Sequence, residues 1–561
     1  MDISKRLIIT EPMYFTEPCT KCGYCRGQKP NRESYFALGS WFKRDSCEKG
    51  SQDTKSDGDG EDEGGIEVNS CTVGFQAENM TVETYDKLCN MGFRRSGRFI
   101  YKPDLLRSCC RLYTIRTKPD QVQLTKELKK CIKKFGKFID GTSKRKDSKE
   151  QKPFDYTQEL IDCETTSNRF YTRFEPAVYT EEKYELYSKY QELIHKDFKH
   201  TRSGFERFLC DSPFLDSIKI GTEEEWQELN KWKDETKEPI RRLGPAHECY
   251  YFDDKLIAIA VTDFLPSGLS SVYFIWDPDF SQWSLGKVSA LRELTILSKI
   301  DRPYYYLGYY IEDCHRMNYK GAYGGELLDV CNSGYAKLEF LKNEGMISLG
   351  KFFVTWKRDT KEVVHELPLN DKLGKESVPS INVGDGTVNV AERLFGTDGV
   401  AYSGEKMRDT IRELRKFGVY YPKNEDIGPQ PLKRKLKNCE TYTEHFDEDE
   451  NGYSESSSSS TSSSSSSSEE NMYTNGDGQE DNFHRIPGIL PGALPLWELL
   501  EIIRSRRIDE LNGELMFFDT RYLCFRPLLE FDRQPGDKKL LICNIVRLLG
   551  LELAKTVIVV V

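Results

Sequence analysis

Residues His247 to Ile311 constrain the fold of this chain more than any other stretch. Leu256–Phe264 and Ser270–Trp276 are runs of β-branched and aromatic residues, and Pro266-Ser267-Gly268 between them is hairpin punctuation. The period then changes. Leu285, Val288, Leu291, Leu294 and Leu297 fall three apart, an apolar stripe that winds around a helix over Ser284–Lys299. Tyr304–Ile311 is strand-like again. The order strand, strand, helix, strand lets the helix serve as a crossover between two parallel strands, as in the core of an α/β domain.

A chain of 561 residues has room for two or more domains with sizeable cores. Its net charge of −10 argues against nonspecific coating of nucleic acid, but the acid is concentrated in two inserts. Ser51–Gly65 carries six acids and one Lys, and Asp447–Asn482 carries ten acids and no base, so the remainder is mildly basic. Both inserts are polar and low in apolar residues, and Ser454–Ser468 is almost unbroken serine; each reads as disordered. The opening MDISKRLIITEP does not read as a signal peptide, and no apolar run reaches the roughly 18 residues of a spanning helix. Seventeen cysteines, several closely spaced and odd in number, favour reduced thiols over a disulfide framework. An intracellular protein, cytoplasmic with the nucleus as a second location and without membrane association, is the expectation.

Three local patterns carry chemistry. Cys19, Cys22 and Cys25 form C-x-x-C-x-x-C, and Cys109-Cys110 lies far along the chain. Four thiolates suit zinc or an iron–sulfur cluster, while the same residues also read as packed thiols. In GFRRSGRFIYKP, Arg94, Arg95, Arg98 and Lys102 stand among Phe93, Phe99 and Tyr101. That is either a solvated basic hairpin or an anion site in which guanidinium forks take a carboxylate and aromatic rings exclude water. Lys126–Lys152 holds eleven Lys or Arg against four acids, with Leu124, Leu128, Ile132 and Phe135 at helical spacing. The helix therefore packs on one side and turns a basic face outward, either to solvent or to a phosphate backbone through Lys129, Lys130, Lys133 and Lys134.

Thr157–Asp216 reads as helical and aromatic, and 221–240 as a charged surface helix. After the second insert, Pro487, Pro491 and Pro495 precede an amphipathic helix, Phe517–Phe531 is strand-like, Leu540–Leu553 is helical, and KTVIVVV is a buried strand. The expected division is 1–150, a Cys-rich domain with a basic region interrupted by the loop 51–65; 151–440, the core; 441–485, the disordered insertion; and 486–561, which completes the core.

HECYYFDDKLIAIAVTDFLPSGLSSVYFIWDPDFSQWSLGKVSALREL and YYYLGYYIEDCHRMNYKGAYGGELLD resemble the eukaryotic arginyl-tRNA–protein transferases of fungal type. CTKCGYC, MGFRRSGRFIYKPDLLRSCCRLYTIR and Ser203–Pro213 resemble other parts of the same family. The resemblance implies an N-terminal metal-binding α+β domain joined to a GNAT-like α/β acyltransferase domain. It also implies arginyl-tRNA as co-substrate and acceptor proteins with N-terminal Asp, Glu or oxidised Cys, marked for N-degron ubiquitin-dependent degradation. A monomer is expected. The family's motif positions give Cys22, Cys25, Cys109 and Cys110 as ligands of zinc or an iron–sulfur cluster, with Cys19 as a substitute.

Transfer from an aminoacyl ester needs no covalent nucleophile, because the ester is already activated; it needs a neutral amine in line with the carbonyl, oxyanion donors and exclusion of water. Many acyltransferases hold their carrier at the N-terminus of a crossover helix. His247, Asp263 and Tyr273 are the candidate catalytic groups, and Arg94, Arg95, Arg98, Lys102, Glu248, Tyr250 and Ser271 the candidate substrate contacts. Two other readings remain: a CoA-dependent acyltransferase, disfavoured by the lack of a Q/R-x-x-G-x-G/A loop, and a non-catalytic metal-dependent RNA-binding adaptor.

Overall fold

The computed structural model describes residues 2–19, 22–24, 41–43, 66–105, 108, 110–140, 154–234, 240–331, 333–347, 352–353, 404–421, 486–488 and 490–561. Cys25, Cys109, the loop 51–65, the end of the basic run at 141–152 and the insertion 441–485 lie outside these residues.

The expected hairpin and crossover are present. Lys255–Leu265 and Gly268–Trp276 pair antiparallel, helix Leu285–Lys299 follows, and Tyr304–Tyr310 returns parallel to Gly268–Trp276. Sequence reading missed the strand Gly244–Phe252, which pairs with Lys255–Leu265, and Phe170–Glu175 beyond it. Phe170 and Phe174 are buried between exposed Tyr171 and Arg173, an alternation hidden inside a stretch rich in helix formers. The full sheet has eight strands: Gly334–Lys337, Glu326–Asp329, Tyr113–Thr117, Tyr304–Tyr310, Gly268–Trp276, Lys255–Leu265, Gly244–Phe252 and Phe170–Glu175.

The crossover helix is more deeply enclosed than an apolar stripe suggests. Leu285, Val288, Leu291, Leu294 and Leu297 are buried, and so are Arg292 and Glu293 on its other sides. It packs on the sheet and against helices Lys126–Asp140 and Tyr156–Thr166. Helix Glu181–Tyr190 covers the opposite face of the hairpin, where Leu186, Tyr187 and Tyr190 meet Cys249, Tyr251, Ile259 and Val261. Every residue of Lys255–Leu265 after Lys255 is therefore buried.

The segment 486–561 contributes strands to a second sheet. Its strands do not extend the eight-stranded sheet; they join a separate nine-stranded one. There Val557–Val560 lies between Leu7–Ile9 and Met516–Asp519, parallel to both. Four consecutive β-branched residues are the composition of a strand covered on both faces, as a central parallel strand must be. The boundary expected at 150 is also not a sheet boundary, because Tyr113–Thr117 pairs with Tyr304–Tyr310 and Glu326–Asp329. The helices at Leu496–Arg504 and Gly536–Ala554 agree with the sequence reading, and the surface helix is the shorter Glu223–Asn230.

Candidate active site

Gly268–Trp276 and Tyr304–Tyr310 pair only at Gly268↔Tyr304, Leu269↔Tyr305 and Ser270↔Tyr306, then run on without pairing to each other. The paired end is fastened from behind. Asp86 of helix Val82–Asn90 accepts from the Ser267 amide at 2.9 Å, and the Ser267 hydroxyl lies 2.9 Å from that of Tyr306. Past this anchor Ser271, Val272, Tyr273 and Phe274 are half-buried beside a fully buried strand, and the place where the two strands part is the candidate cleft.

A bulge shapes the other side of the cleft. Three steps from Tyr306 to Tyr309 match two from Arg116 to Thr114, and Gly308 takes φ 81° in between. The extra residue turns Tyr306 and Tyr309 to the same face, and the Arg94 guanidinium sits 5.7 Å from each ring. Arg94 donates through Nη1 to the carbonyls of Cys89 and Phe93 at 3.0 and 2.6 Å, while its Nε and Nη2 have no partner among the described residues. Lys320 approaches from the short helix Tyr319–Tyr323 and donates to the Tyr309 carbonyl at 2.9 Å. Burial, and secondarily the Arg94 charge, lower its pKa to about 8. Two neighbouring cations, one with donors unused, are a pair suited to an anion.

A second polar network lies under the crossover helix. Arg292 donates to Glu248 and to the Tyr250 hydroxyl at 2.8 Å each, and it also pairs with Glu164. Lys233 reaches Glu164 at 2.7 Å. Ser289 donates to Glu293 Oε1 at 2.8 Å, and Glu293 Oε2 has no partner among the described residues. Desolvation pushes the Glu293 carboxyl up to about 7, against the restraint of the Tyr305 and Ser289 hydroxyls.

Most residues expected at the site have partners within the protein. Successive side chains on the strand Arg94–Ser96 point to opposite faces, so Arg94 and Arg95 cannot share an anion. Arg95 instead holds Asp263 in a buried bidentate pair, Nε–Oδ2 and Nη2–Oδ1 both 2.7 Å, which satisfies the carboxylate expected to be catalytic. Arg98 pairs with Glu78 and Asp211 nearer the surface, both at 2.8 Å. Lys102 is buried against Phe93 and donates to the Gly492 carbonyl at 2.7 Å. His247 is 0% exposed, its Nε2 2.9 Å from the Leu209 carbonyl, and burial lowers its pKa to about 3. Glu248 and Tyr250 belong to the Arg292 network and are enclosed. Tyr273 lies on the cleft strand, its hydroxyl 3.3 Å from His195 Nε2. Ser271 lies on the same strand and interacts with Tyr305.

Of the expected ligands, Cys22 and Cys110 are described, and their sulfurs are 3.7 Å apart in a buried setting. Two thiolates sharing a tetrahedral zinc at about 2.3 Å would stand roughly 3.8 Å apart, so this pair fits a common ion. Among the described residues no cluster of three candidate ligands forms. The Cys314 thiol donates to the Tyr24 carbonyl at 3.2 Å, which closes this loop onto the eight-stranded sheet's domain. On helix Lys126–Asp140, Leu128, Ile132, Phe135 and Ile139 are buried, Lys130, Lys133 and Lys134 exposed, and Lys129 half-buried. Lys287, in the first turn of the crossover helix, pairs with Glu127, so the basic helix adjoins that N-terminus.

Residues 20–130 match the family described as Arginine-tRNA-protein transferase, N terminus, and residues 182–329 match its C terminus. Arginyl-tRNA–protein transferase 1 of Saccharomyces cerevisiae is 43% identical over 555 residues, 98% of this chain and 97% of the relative. The chain belongs to the arginyl-tRNA–protein transferase family. Arginyl-tRNA–protein transferase 2 of Arabidopsis thaliana is 41% identical over 157 residues, 27% of this chain and 24% of that protein. An aspartate/glutamate leucyltransferase of Stutzerimonas stutzeri is 29% identical over 252 residues, 44% of this chain and 80% of that protein. The C-terminal family match takes in the hairpin, the crossover helix and the returning strand; the N-terminal match takes in Arg94, Cys22, Cys25, Cys109, Cys110 and the first five residues of the basic helix. In this member of the arginyltransferase family, sequence reading overlooked Arg292, Glu293, Tyr305 and Lys320. The signal for the first two was present: an adjacent Arg and Glu inside a helix whose apolar positions leave little room for a solvent face.

Proposed function

We infer that this chain is a transferase that moves arginine from arginyl-tRNA to the α-amine of acceptor proteins, marking them for N-degron degradation. The near full-length match to a transferase of that name carries the conclusion, and it disfavours both the CoA-dependent and the non-catalytic readings. The eight-stranded sheet is read as GNAT-like, with the arginyl ester entering where the parallel strands separate. Acceptors with N-terminal Asp, Glu or oxidised Cys place their acidic group on Arg94 and Lys320, which replaces the four-cation hairpin expected from sequence. A bound carboxylate supplies the acceptor that the unused Arg94 donors lack. The same cations disfavour a nearby ammonium and so help keep the α-amine neutral. Lys129, Lys130, Lys133 and Lys134, beside the N-terminus of the crossover helix, contact tRNA phosphates.

Two variants separate these roles in an assay of radiolabelled arginine transfer. Arg94→Ala raises the KM of Asp- or Glu-initiated acceptors roughly ten- to a hundredfold and leaves that of arginyl-tRNA unchanged. Charge reversal at the four lysines does the opposite and flattens the salt dependence of tRNA binding. An exchange of the two results would reverse the assignment, and no tRNA-dependent transfer by the unaltered protein would remove the function itself.

Zinc held by Cys22 and Cys110, with Cys25 and Cys109 completing the set, is the proposed metal centre. Two thiolates 3.7 Å apart share one metal atom, a single zinc or one iron of a cluster. Bound there, the ion supplies a structural tie and no step of the transfer. Cys110→Ser lowers the metal content, because three ligands hold zinc poorly; zinc and iron unchanged by elemental analysis would withdraw the assignment.

A further inference from the structure

Two bulges bend the strands Gly268–Trp276 and Tyr304–Tyr310 apart. On the first, two steps from Ser271 to Tyr273 match one from Thr262 to Val261; on the second, three steps from Tyr306 to Tyr309 match two from Arg116 to Thr114. Main-chain groups alternate sides along a strand, so two hydrogen bonds fix which residues face the gap. The Tyr304 amide donates to the Ser267 carbonyl at 3.1 Å, which turns Ser267, Leu269 and Ser271 toward the returning strand. The Asp277 amide donates to the Ile257 carbonyl at 2.7 Å, so Asp277, Ile275 and Tyr273 face Lys255–Leu265 instead. Phe274 and Trp276 are left facing the gap, and their amides and carbonyls have no partner among the described residues. Across the gap the Tyr309 carbonyl already accepts from Lys320. An open edge thus runs along Ser271–Trp276 in the middle of the sheet. Its Phe274 and Trp276 are half-buried, and main-chain groups in such a setting call for partners.

We propose that the N-terminal segment of the acceptor protein binds as an added strand along Ser271–Trp276. The proposal rests on the arginyl-transfer reading given above and says how the acceptor is held. A line of alternating amides and carbonyls complements another polypeptide backbone, as in strand addition to an exposed sheet edge, and a tRNA end carries no such series. Reading the backbone also suits an enzyme whose acceptors share only their first residue. Charge fixes which end of the segment goes where. Arg94, with Nε and Nη2 unused, lies 5.7 Å from the rings of Tyr306 and Tyr309, at the closed end of the gap, and Lys320 is on the same side. The acidic first residue is drawn there, which puts its α-amine where the strands separate and the arginyl ester enters. The rest of the acceptor leaves through the open end, so it runs parallel to Gly268–Trp276. Six strand residues at about 3.3 Å each match roughly five or six residues of acceptor. Acceptors must therefore be extended over that length, whatever their side chains.

A scan of N-methylated acceptor peptides tests this without altering the protein. Each peptide begins with Asp, and one backbone nitrogen between residues 2 and 8 is methylated in turn. A strand paired along one edge donates from every second residue. Methylation is therefore expected to raise the acceptor KM roughly threefold to tenfold at residues 2 and 4 or at residues 3 and 5. The residues between stay near the parent peptide, residue 8 shows no effect, and the KM of arginyl-tRNA holds throughout. Alanine in place of the side chains at residues 3 to 5 also leaves the KM near that of the parent. A flat scan, or equal losses at every position, overturns the added strand. The unmethylated peptide keeps the two readings separate: no tRNA-dependent arginine transfer to it removes the underlying function, whereas transfer to it with a flat scan removes only the strand.

Discussion

Arg95→Ala is expected to lower folding stability by about 3–5 kcal/mol, as removal of one member of a buried ion pair does. The pair joins the hairpin strand Arg94–Ser96 to the strand Lys255–Leu265, 168 positions away in sequence and in the other sheet. The Arg95 Nη1 also donates to the carbonyls of Gly97 and Asp211, each at 3.2 Å. Truncation leaves the Asp263 carboxylate, 0% exposed, without its counter-ion. The loss follows from that stranded charge more than from any large net gain in the intact pair. Removing both charges, as Arg95→Met with Asp263→Leu, should therefore recover a substantial part of the loss. Urea unfolding of the three proteins measures both effects; Arg95→Ala within about 1 kcal/mol of the unaltered protein would contradict the buried pair. Transfer should decline as well, because the strand that carries Arg94 over Tyr306 and Tyr309 loses its anchor.

Gly268→Ala is the second large effect, and it acts directly on the cleft. A β-carbon at Gly268 would stand 1.8 Å from the Tyr304 carbonyl oxygen and 2.7 Å from its carbon. Both are backbone atoms, so the clash cannot be relieved by a rotamer change. The strands must part at one of only three paired positions. Overpacking of this kind costs about 3 kcal/mol, and a shift on the order of 1 Å in reacting groups lowers a rate roughly a hundredfold. Gly286→Ala is the control, since its added carbon meets only Phe274 Cδ1 at 3.8 Å. Thermal melts and single-turnover rates on the two variants discriminate sharply: a Gly268→Ala protein with unaltered transfer would mean that the separating strands are not the site.

The hairpin, the crossover and the basic helix were legible because each depends on a period within one stretch of chain. Leu256–Phe264 and Leu285–Leu297 announce strand and helix without reference to anything distant. The polar pairings had no such signal. Arg292 finds Glu164 at a separation of 128 residues, and Arg95 finds Asp263 at 168, so nothing local told these residues from substrate contacts. The setting of His247 was hidden for a related reason: it depends on the Leu209 carbonyl and on a sheet that covers it, neither of which a neighbouring residue reveals. The four cations of the hairpin illustrate what alternation does to composition. As letters they form one cluster, but a strand sends adjacent side chains to opposite faces, and only Arg94 retains unused donors at the cleft.

The strand Val557–Val560 also sets a schedule. It fills the gap between Leu7–Ile9 and Met516–Asp519, so one edge of Leu7–Ile9 stays open until Val557–Val560 emerges. At roughly 5–20 residues per second, translation of the intervening chain takes on the order of half a minute to two minutes. Through that interval the nascent protein displays an unpaired apolar edge of the kind that recruits other strands. Shielding of Leu7–Ile9 during synthesis is therefore expected to contribute to yield alongside the stability of the finished fold.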